Sequence, residues 1–90
     1  MVTLNDMKAY LRVDFPDDDT LIESFIASAL RLCMDIVRTD DEAAFWALPS
    51  AQEAVFFTVG YMYEHREDAD FHRLILSLRA LLSGNRKEVF

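Results

Sequence analysis

The sequence is poor in the residues that many specialised sites require. Its 90 residues include one cysteine, two glycines and two prolines. A single cysteine excludes a disulfide within the chain and is typical of a reducing compartment. Two glycines are too few for a loop that cradles phosphate groups. No apolar run reaches the ~18–20 residues of a membrane span and no signal peptide opens the chain, so we expect a cytosolic protein that contacts no membrane.

Hydrophobic residues, in contrast, are abundant. They form 52% of the chain, and aromatic residues form 12%. We expect one domain over residues 1–90, and a chain this short buries only about 60% of the surface that its unfolded form exposes. A hydrophobic share slightly above the usual one therefore indicates that part of the apolar surface serves a partner.

Charge is distributed unevenly along the chain, whose net charge is −7. Residues 1–70 contain fifteen acidic and five basic residues, whereas residues 71–90 contain four basic residues and one acidic residue. An acidic body with a basic end is poorly suited to gripping the DNA backbone. It suits contact between copies of the same chain, although an ordinary soluble surface with uneven charge remains the alternative.

The hydrophobic pattern predicts an all-α fold: a small bundle of four main helices, with room for a short fifth, joined by short loops. No segment alternates with a period of two between turn residues, as a strand would. The predicted helices cover approximately residues 4–11, 18–38, 43–48, 51–66 and 71–83. The fourth of these is apolar almost all round, which places it at the centre of the bundle.

Helix ends are marked by local signals. Thr3 with Asp6, and Ser50 with Glu53, have the spacing of a capping box. The acidic run Asp17–Asp19 puts negative charge at the positive end of the second long helix.

Two glycines and one leucine have distinct roles in this pattern. Gly60 interrupts the central helix, which indicates a close approach of another backbone. Gly84 is the expected stop after the last helix. Leu76 lies off the apolar stripe of that helix, among polar residues.

Metal sites are poorly supported. A calcium loop needs a glycine at its sharp turn, and none follows the run Asp17–Asp19, so helix capping explains the run better. Glu64, His65, Glu67 and His72 could be drawn as a cluster, but the two histidines are not one helical turn apart. We therefore expect no metal.

Chemistry based on nucleophiles or base stacking is also poorly supported. Cys33 lies in the apolar arc of the second helix, and a buried thiol there is structural. Tyr61 and Tyr63 with Arg66 could stack on bases, but their helix is too apolar to be largely exposed. No serine stands in a nucleophile elbow. We expect neither an enzyme nor a cofactor.

Three segments carry a family resemblance. They are Leu11–Ile22, which reads LRVDFPDDDTLI; the Tyr-Glu-x-Arg-Glu pattern within Tyr63–Glu67; and Leu81–Arg86. In this order they resemble the small head–tail connector (adaptor, or DNA-packaging) proteins of tailed double-stranded-DNA phages and prophages. Gly84 and Asn85 depart from the Pro-Tyr that is commoner in the family.

The resemblance implies a structural subunit of the virion, made in the cytoplasm of a bacterial host. Such a subunit assembles with its own copies into a ring that docks on the portal protein. The ring extends the DNA channel and connects the head to a tail or stopper protein. DNA is then only cargo passing through the channel, and no catalysis or cofactor is implied.

The charged and apolar residues that no helix core explains are candidates for contact with neighbouring copies or with the portal. A ring closes when two different surfaces of one subunit match each other. We further expect the apolar end Val89–Phe90 to become ordered only on docking. The candidate interface residues are Asp17, Asp18, Asp19, Leu76, Arg73, Arg79, Arg86, Lys87 and Phe90.

A different class of function also fits the acidic composition. A small regulator, antitoxin-like or DNA-mimicking, would bind a basic partner through its carboxylates. It would be a monomer or a dimer rather than a ring, so the mass of the assembled protein distinguishes the two. A metal-dependent hydrolase, a third alternative, would require bound metal in the purified protein.

Overall fold

Five α-helices account for most of the structure. The computed structural model describes residues 1–83, over which it contains no strand. The all-α prediction is confirmed, and each helix begins and ends within two residues of its predicted bounds. The helices are α1 (Leu4–Leu11), α2 (Asp19–Val37), α3 (Glu42–Trp46), α4 (Ala51–Glu64) and α5 (Phe71–Ser83).

The α2–α4 pair forms the centre of the bundle and has its most extensive contact. Helices α1 and α5 each pack against both members of this pair, but they do not contact one another. They therefore occupy separate flanks of the α2–α4 pair. The fully buried side chains contributed by α2, α4 and α5 include Ile22, Ala29, Cys33, Ala54, Val55, Thr58, Val59, Leu74 and Leu78.

Helices α1 and α2 both end at an arginine with a left-handed backbone. Arg12 has φ 61° and Arg38 has φ 60°. The backbone N–H of each donates to carbonyls of the last helical turn, as the glycine that commonly fills this position does. Because neither site has a glycine, only the structure reveals that both helices stop at such a cap.

One of the two predicted capping boxes forms. Thr3 Oγ1 accepts a hydrogen bond from the Asp6 N–H at 3.1 Å, and the Asp6 carboxylate accepts one from the Thr3 N–H at 3.0 Å. The prediction for Ser50 is wrong in one respect: Ser50 is the N-cap of α4, but its side chain makes no capping hydrogen bond. With φ −99° and ψ 12°, its backbone is outside the extended conformation that this geometry uses.

The close approach predicted at Gly60 is present, but its partner differs from the prediction. A Cβ on Gly60 would lie 3.3 Å from Cε2 of Tyr10, so the neighbour is an aromatic side chain of α1 rather than a backbone. The same ring stacks on Phe56, with ring centroids 4.9 Å apart. Gly60 therefore lets α1 lie close to α4.

Cys33 is fully buried, as predicted. Its Sγ lies 3.7 Å from Thr58 Oγ1, whose hydroxyl donates to the Ala54 carbonyl. Burial raises the pKa of the thiol, which disfavours the reactive thiolate. The predicted stop at Gly84 lies outside the described residues.

Within residues 1–83, no helix combines the length and apolar character that crossing a bilayer requires.

Candidate assembly surfaces

The outward side of α5 presents a leucine between two arginines. Leu74, Leu78 and Leu82 on the opposite side are buried against the bundle. Leu76 is 52% exposed. Arg73 and Arg79 are exposed and lie three residues before and after it, so they flank it on the helix surface. We refer to Arg73, Leu76 and Arg79 as the basic face of α5.

The charges of this face have no partner among the residues that the structure describes. The backbone N–H of Arg73 donates to Asp70 Oδ1 at 3.1 Å, but this bond caps the helix and leaves the guanidinium group uninvolved. Within residues 1–83, neither Arg73 nor Arg79 forms an ion pair. Helix α5 itself contains no acidic residue. Both positive charges therefore have no carboxylate partner within the described part of the chain.

The three predicted interface carboxylates Asp17–Asp19 have different surroundings. Asp18 accepts a hydrogen bond from the Tyr63 hydroxyl at 2.7 Å, and its Oδ2 is 3.9 Å from Arg66 Nη1. Asp19 Oδ1 lies 2.7 Å from Lys8 Nζ. Asp18 is the N-cap of α2 but makes no capping hydrogen bond with its side chain, which corrects the capping role predicted for it. Asp18 and Asp19 instead connect α2 to α4 and α1.

The bond between Tyr63 and Asp18 has an electrostatic consequence. The hydrogen bond to the Asp18 carboxylate, followed by burial and the negative charge of that carboxylate, raises the pKa of the Tyr63 hydroxyl. The Arg66 guanidinium lies over the Tyr63 ring, 4.8 Å from its centroid. These side chains fix the beginning of α2 against the end of α4.

The turn between α1 and α2 presents Asp17 together with Asp14. Asp14, Phe15, Pro16 and Asp17 are all exposed, and Phe15 keeps 48% of its surface accessible. Neither Asp14 nor Asp17 has an ion pair within residues 1–83. We refer to Asp14–Asp17 as the acidic turn. Sequence reasoning singled out Asp17 but missed Phe15, although an aromatic residue in an acidic turn, off every helical stripe, was a usable signal.

The aromatic side chains at the end of α4 make contacts within the chain. Tyr61 accepts a hydrogen bond from the Asp70 N–H at 2.8 Å and stacks on His65, with ring centroids 4.3 Å apart. Tyr63 is engaged by Asp18 and Arg66. These contacts hold the loop before α5 and disfavour a base-stacking surface. Among the described residues, no three His, Cys, Asp or Glu side chains are grouped to hold a metal ion.

An open groove of about 780 Å³ separates the second half of α2 from α5. Its apolar lining includes Leu32, Ile36 and Ile75, and its charged lining is Asp35, Arg38 and Arg79. No histidine or cysteine is among the described residues that line it.

Three of the predicted interface residues, Arg86, Lys87 and Phe90, lie outside the described residues, as does the whole of the end segment Val89–Phe90.

A family model described as "Phage gp6-like head-tail connector protein" matches residues 1–73. Comparisons with curated proteins and with solved structures find no match. The matched range contains the acidic turn and ends at Arg73, so Leu76 and Arg79 lie beyond it. Of the three segments that carried the resemblance, the first two fall within the match and Leu81–Arg86 does not.

Proposed function

This chain belongs to the phage gp6-like head-tail connector family, and from that premise we propose that it is a structural head-completion protein of a tailed phage or prophage. In this proposal, copies of the chain form a ring that docks on the portal protein and extends the DNA channel. The ring gives a tail or stopper protein its attachment surface. The family match over residues 1–73 is the observation that carries the proposal.

The arrangement of the flanks supports assembly into a ring. Helices α1 and α5 lie on separate flanks of the α2–α4 pair. The flank of α1 ends in the acidic turn, whereas the flank of α5 carries the basic face. Contact between two different surfaces of neighbouring copies repeats around an axis and closes a ring when the rotation per copy allows it.

The charge of the chain supports a role in which DNA is cargo and not a bound ligand. A net charge of −7 repels backbone phosphates rather than neutralising them. DNA could therefore pass a wall of such subunits without adhering to it. We propose that Arg73, Arg79, Arg86 and Lys87 face acidic groups of a neighbouring copy or of the portal, and that Val89–Phe90 becomes ordered on docking.

We propose no catalytic activity, metal or cofactor for this role. Head-tail connectors are structural, and the side chains that could have suggested chemistry have structural contacts here. The Cys33 thiol is buried beside Thr58, and the rings of Tyr61 and His65 stack on each other. The site of action would be the virion, after synthesis in the bacterial cytoplasm.

Disruption of the gene in the phage that encodes the chain tests the proposed function. We expect electron microscopy of the lysate to reveal heads and tails that are not joined, and expression of the chain in trans to restore tailed particles. A tail-less phenotype that the chain cannot rescue, or tailed infectious particles at the normal yield, would contradict the proposal. Normal particles would favour the alternative, a small acidic regulator that binds a basic partner.

A further inference from the structure

We propose that the acidic turn of one copy binds the basic face of α5 on the next copy, with Phe15 packed against Leu76. This inference rests on the proposed function, because it identifies the two surfaces through which the copies of a ring would meet. It is narrower than that function, since a ring could also form through other surfaces of the chain.

The two surfaces match in both polarity and arrangement. Each has one exposed apolar side chain at its centre, Phe15 with 48% and Leu76 with 52% of its surface accessible. Asp14 and Asp17 lie on either side of Phe15, and two arginines flank Leu76. Guanidinium groups form strong, directional hydrogen bonds with carboxylates. Their aliphatic stems can also cover an aromatic ring.

The charges on both surfaces are available for this contact. Within residues 1–83 no ion pair involves Asp14, Asp17, Arg73 or Arg79. The adjacent carboxylates of Asp18 and Asp19, in contrast, are engaged by Tyr63, Arg66 and Lys8. The structure thus separates carboxylates that hold the fold together from carboxylates that have no partner within the described chain.

The acidic turn is held in place at both ends. On one side, α1 ends at the left-handed Arg12, and the N–H of Val13 donates to the Lys8 carbonyl at 2.9 Å. On the other side, Asp18 and Asp19 are attached to α4 and α1. A surface that is already ordered loses less conformational entropy when it binds. The turn is therefore suited to presenting Phe15 in a fixed position.

The location of the two surfaces favours contact between copies. Helices α1 and α5 do not contact each other, and the acidic turn follows α1 whereas the basic face is on α5. If the second copy does not return the contact to the first, the pair keeps a free turn at one end and a free basic face at the other. Such a head-to-tail contact repeats from copy to copy and closes a ring when the rotation per copy allows it.

Disulfide trapping tests the proposed pairing of side chains. A chain carrying Phe15→Cys and Leu76→Cys is oxidised mildly, with and without purified portal protein. We expect a ladder of covalent multimers from the double variant and no ladder from either single variant. The native Cys33 is fully buried, so the wild-type chain serves as a background control.

Charge reversal provides a second test. Asp14→Arg with Asp17→Arg, or Arg73→Glu with Arg79→Glu, should each weaken self-association by about tenfold or more, because like charges then face each other. All four substitutions in one chain should restore association. Arg31→Glu is the matched control, since Arg31 is exposed on α2, and we expect no change from it. Circular dichroism should give the same helicity for every variant.

The outcomes separate this inference from the proposed function. Copies that associate without forming the ladder, or a fourfold variant that fails to recover, would overturn the pairing and leave the connector role intact. Copies that never associate, even with portal protein present, would overturn both. A ladder together with recovery in the fourfold variant would establish the contact.

Discussion

Two regions of this small bundle use their charged side chains differently. Where α1, the start of α2 and the end of α4 meet, polar contacts connect the helices: Lys8 with Asp19 at 2.7 Å, and Tyr63 with Asp18 at 2.7 Å. Helix α5 is attached by buried leucines, and its two arginines are exposed and have no ion pair in the described residues. The first region uses charge to connect its helices, whereas the charges of the second are unpaired within residues 1–83, and we propose that they meet a partner.

The extent of the family match follows the same division. The matched residues 1–73 contain every polar contact between α1, α2 and α4 described above. Leu76 and Arg79 lie beyond the match, on the helix that presents the basic face. We infer that the acidic turn belongs to the part of the chain that the family model describes, and that most of its proposed partner surface does not.

The largest effect should come from removing a leucine that attaches α5. Leu78 is fully buried, whereas Leu76, two residues earlier on the same helix, is 52% exposed. Leu78→Ala leaves a cavity and should lower the free energy of unfolding by about 3 kcal/mol. Leu76→Ala should change it by less than about 0.5 kcal/mol, while weakening assembly. Urea denaturation of both variants measures the difference. Equal losses in the free energy of unfolding would contradict the division of α5 into a buried side and an exposed side.

A smaller loss should follow from breaking the ion pair that joins α1 to α2. Asp19 Oδ1 is buried, and Lys8 Nζ is its neighbour at 2.7 Å. Lys8→Ala leaves this oxygen without a counter-charge, and we expect a loss of about 1–2 kcal/mol. Arg31→Ala, at an exposed position on α2, is the control and should have little effect. Thermal unfolding compares the two, and an unchanged melting temperature for Lys8→Ala would show that the pair is dispensable.

Removing one hydroxyl should weaken the contact between α4 and α2. Tyr63→Phe deletes the hydrogen bond to Asp18 while keeping the ring under Arg66, and should cost about 1 kcal/mol. Tyr10→Phe removes a hydroxyl from a half-exposed ring of α1 and should be nearly neutral. Urea denaturation at neutral pH checks both substitutions. Identical midpoints for the two variants would indicate that the bond adds nothing to stability.

The Tyr63 contact should also depend on pH in one direction. Because folding raises the pKa of Tyr63 above its ordinary value of 10.0, the folded state holds this proton more tightly than the unfolded state does. The stabilisation is complete below pH 10 and is lost as the pH rises through the folded pKa. The stability difference between wild type and Tyr63→Phe should therefore shrink in alkaline solution. A stability difference that grows in alkaline solution would mean that folding lowers the pKa of Tyr63 instead of raising it.

The smallest effect concerns the contact between α1 and α4. Alanine has a higher helix propensity than glycine, which alone would raise the free energy of unfolding of Gly60→Ala by about 1 kcal/mol. The new Cβ, however, would lie 3.3 Å from the Tyr10 ring. Since Tyr10 is 53% exposed, its ring can move slightly, and we expect a net gain of about 0.5 kcal/mol. The gain should be larger in a Tyr10→Ala background. A loss of stability that persists in that background would refute this explanation.

Local signals made the helices predictable. The Thr3–Asp6 capping box forms because its partners are three residues apart and Thr3 has the extended backbone that an N-cap uses. Non-local contacts were not predictable. The partner of Asp18 is Tyr63, 45 residues away, and the spacing of the acidic run does not indicate which of its carboxylates contacts another helix. The left-handed caps at Arg12 and Arg38 were missed because no glycine marks them.

The candidate interface was predicted unevenly for the same reason. Leu76 was identifiable because the helical period places it off the buried stripe, and its flanking arginines because they belong to the basic end of the chain; the structure leaves all three exposed. Asp18 and Asp19 were grouped with Asp17 by sequence proximity alone, whereas tertiary contacts distinguish them. Whether these residues form an interface remains a prediction.

A cryo-electron microscopy reconstruction of the head–tail junction in the phage that encodes this chain tests the central claim most directly. We predict a ring of copies beneath the portal, in which Phe15 of each copy contacts Leu76 of the next. A junction that lacks the chain, or a ring in which the acidic turn and the basic face of α5 are both exposed to solvent, would contradict the account.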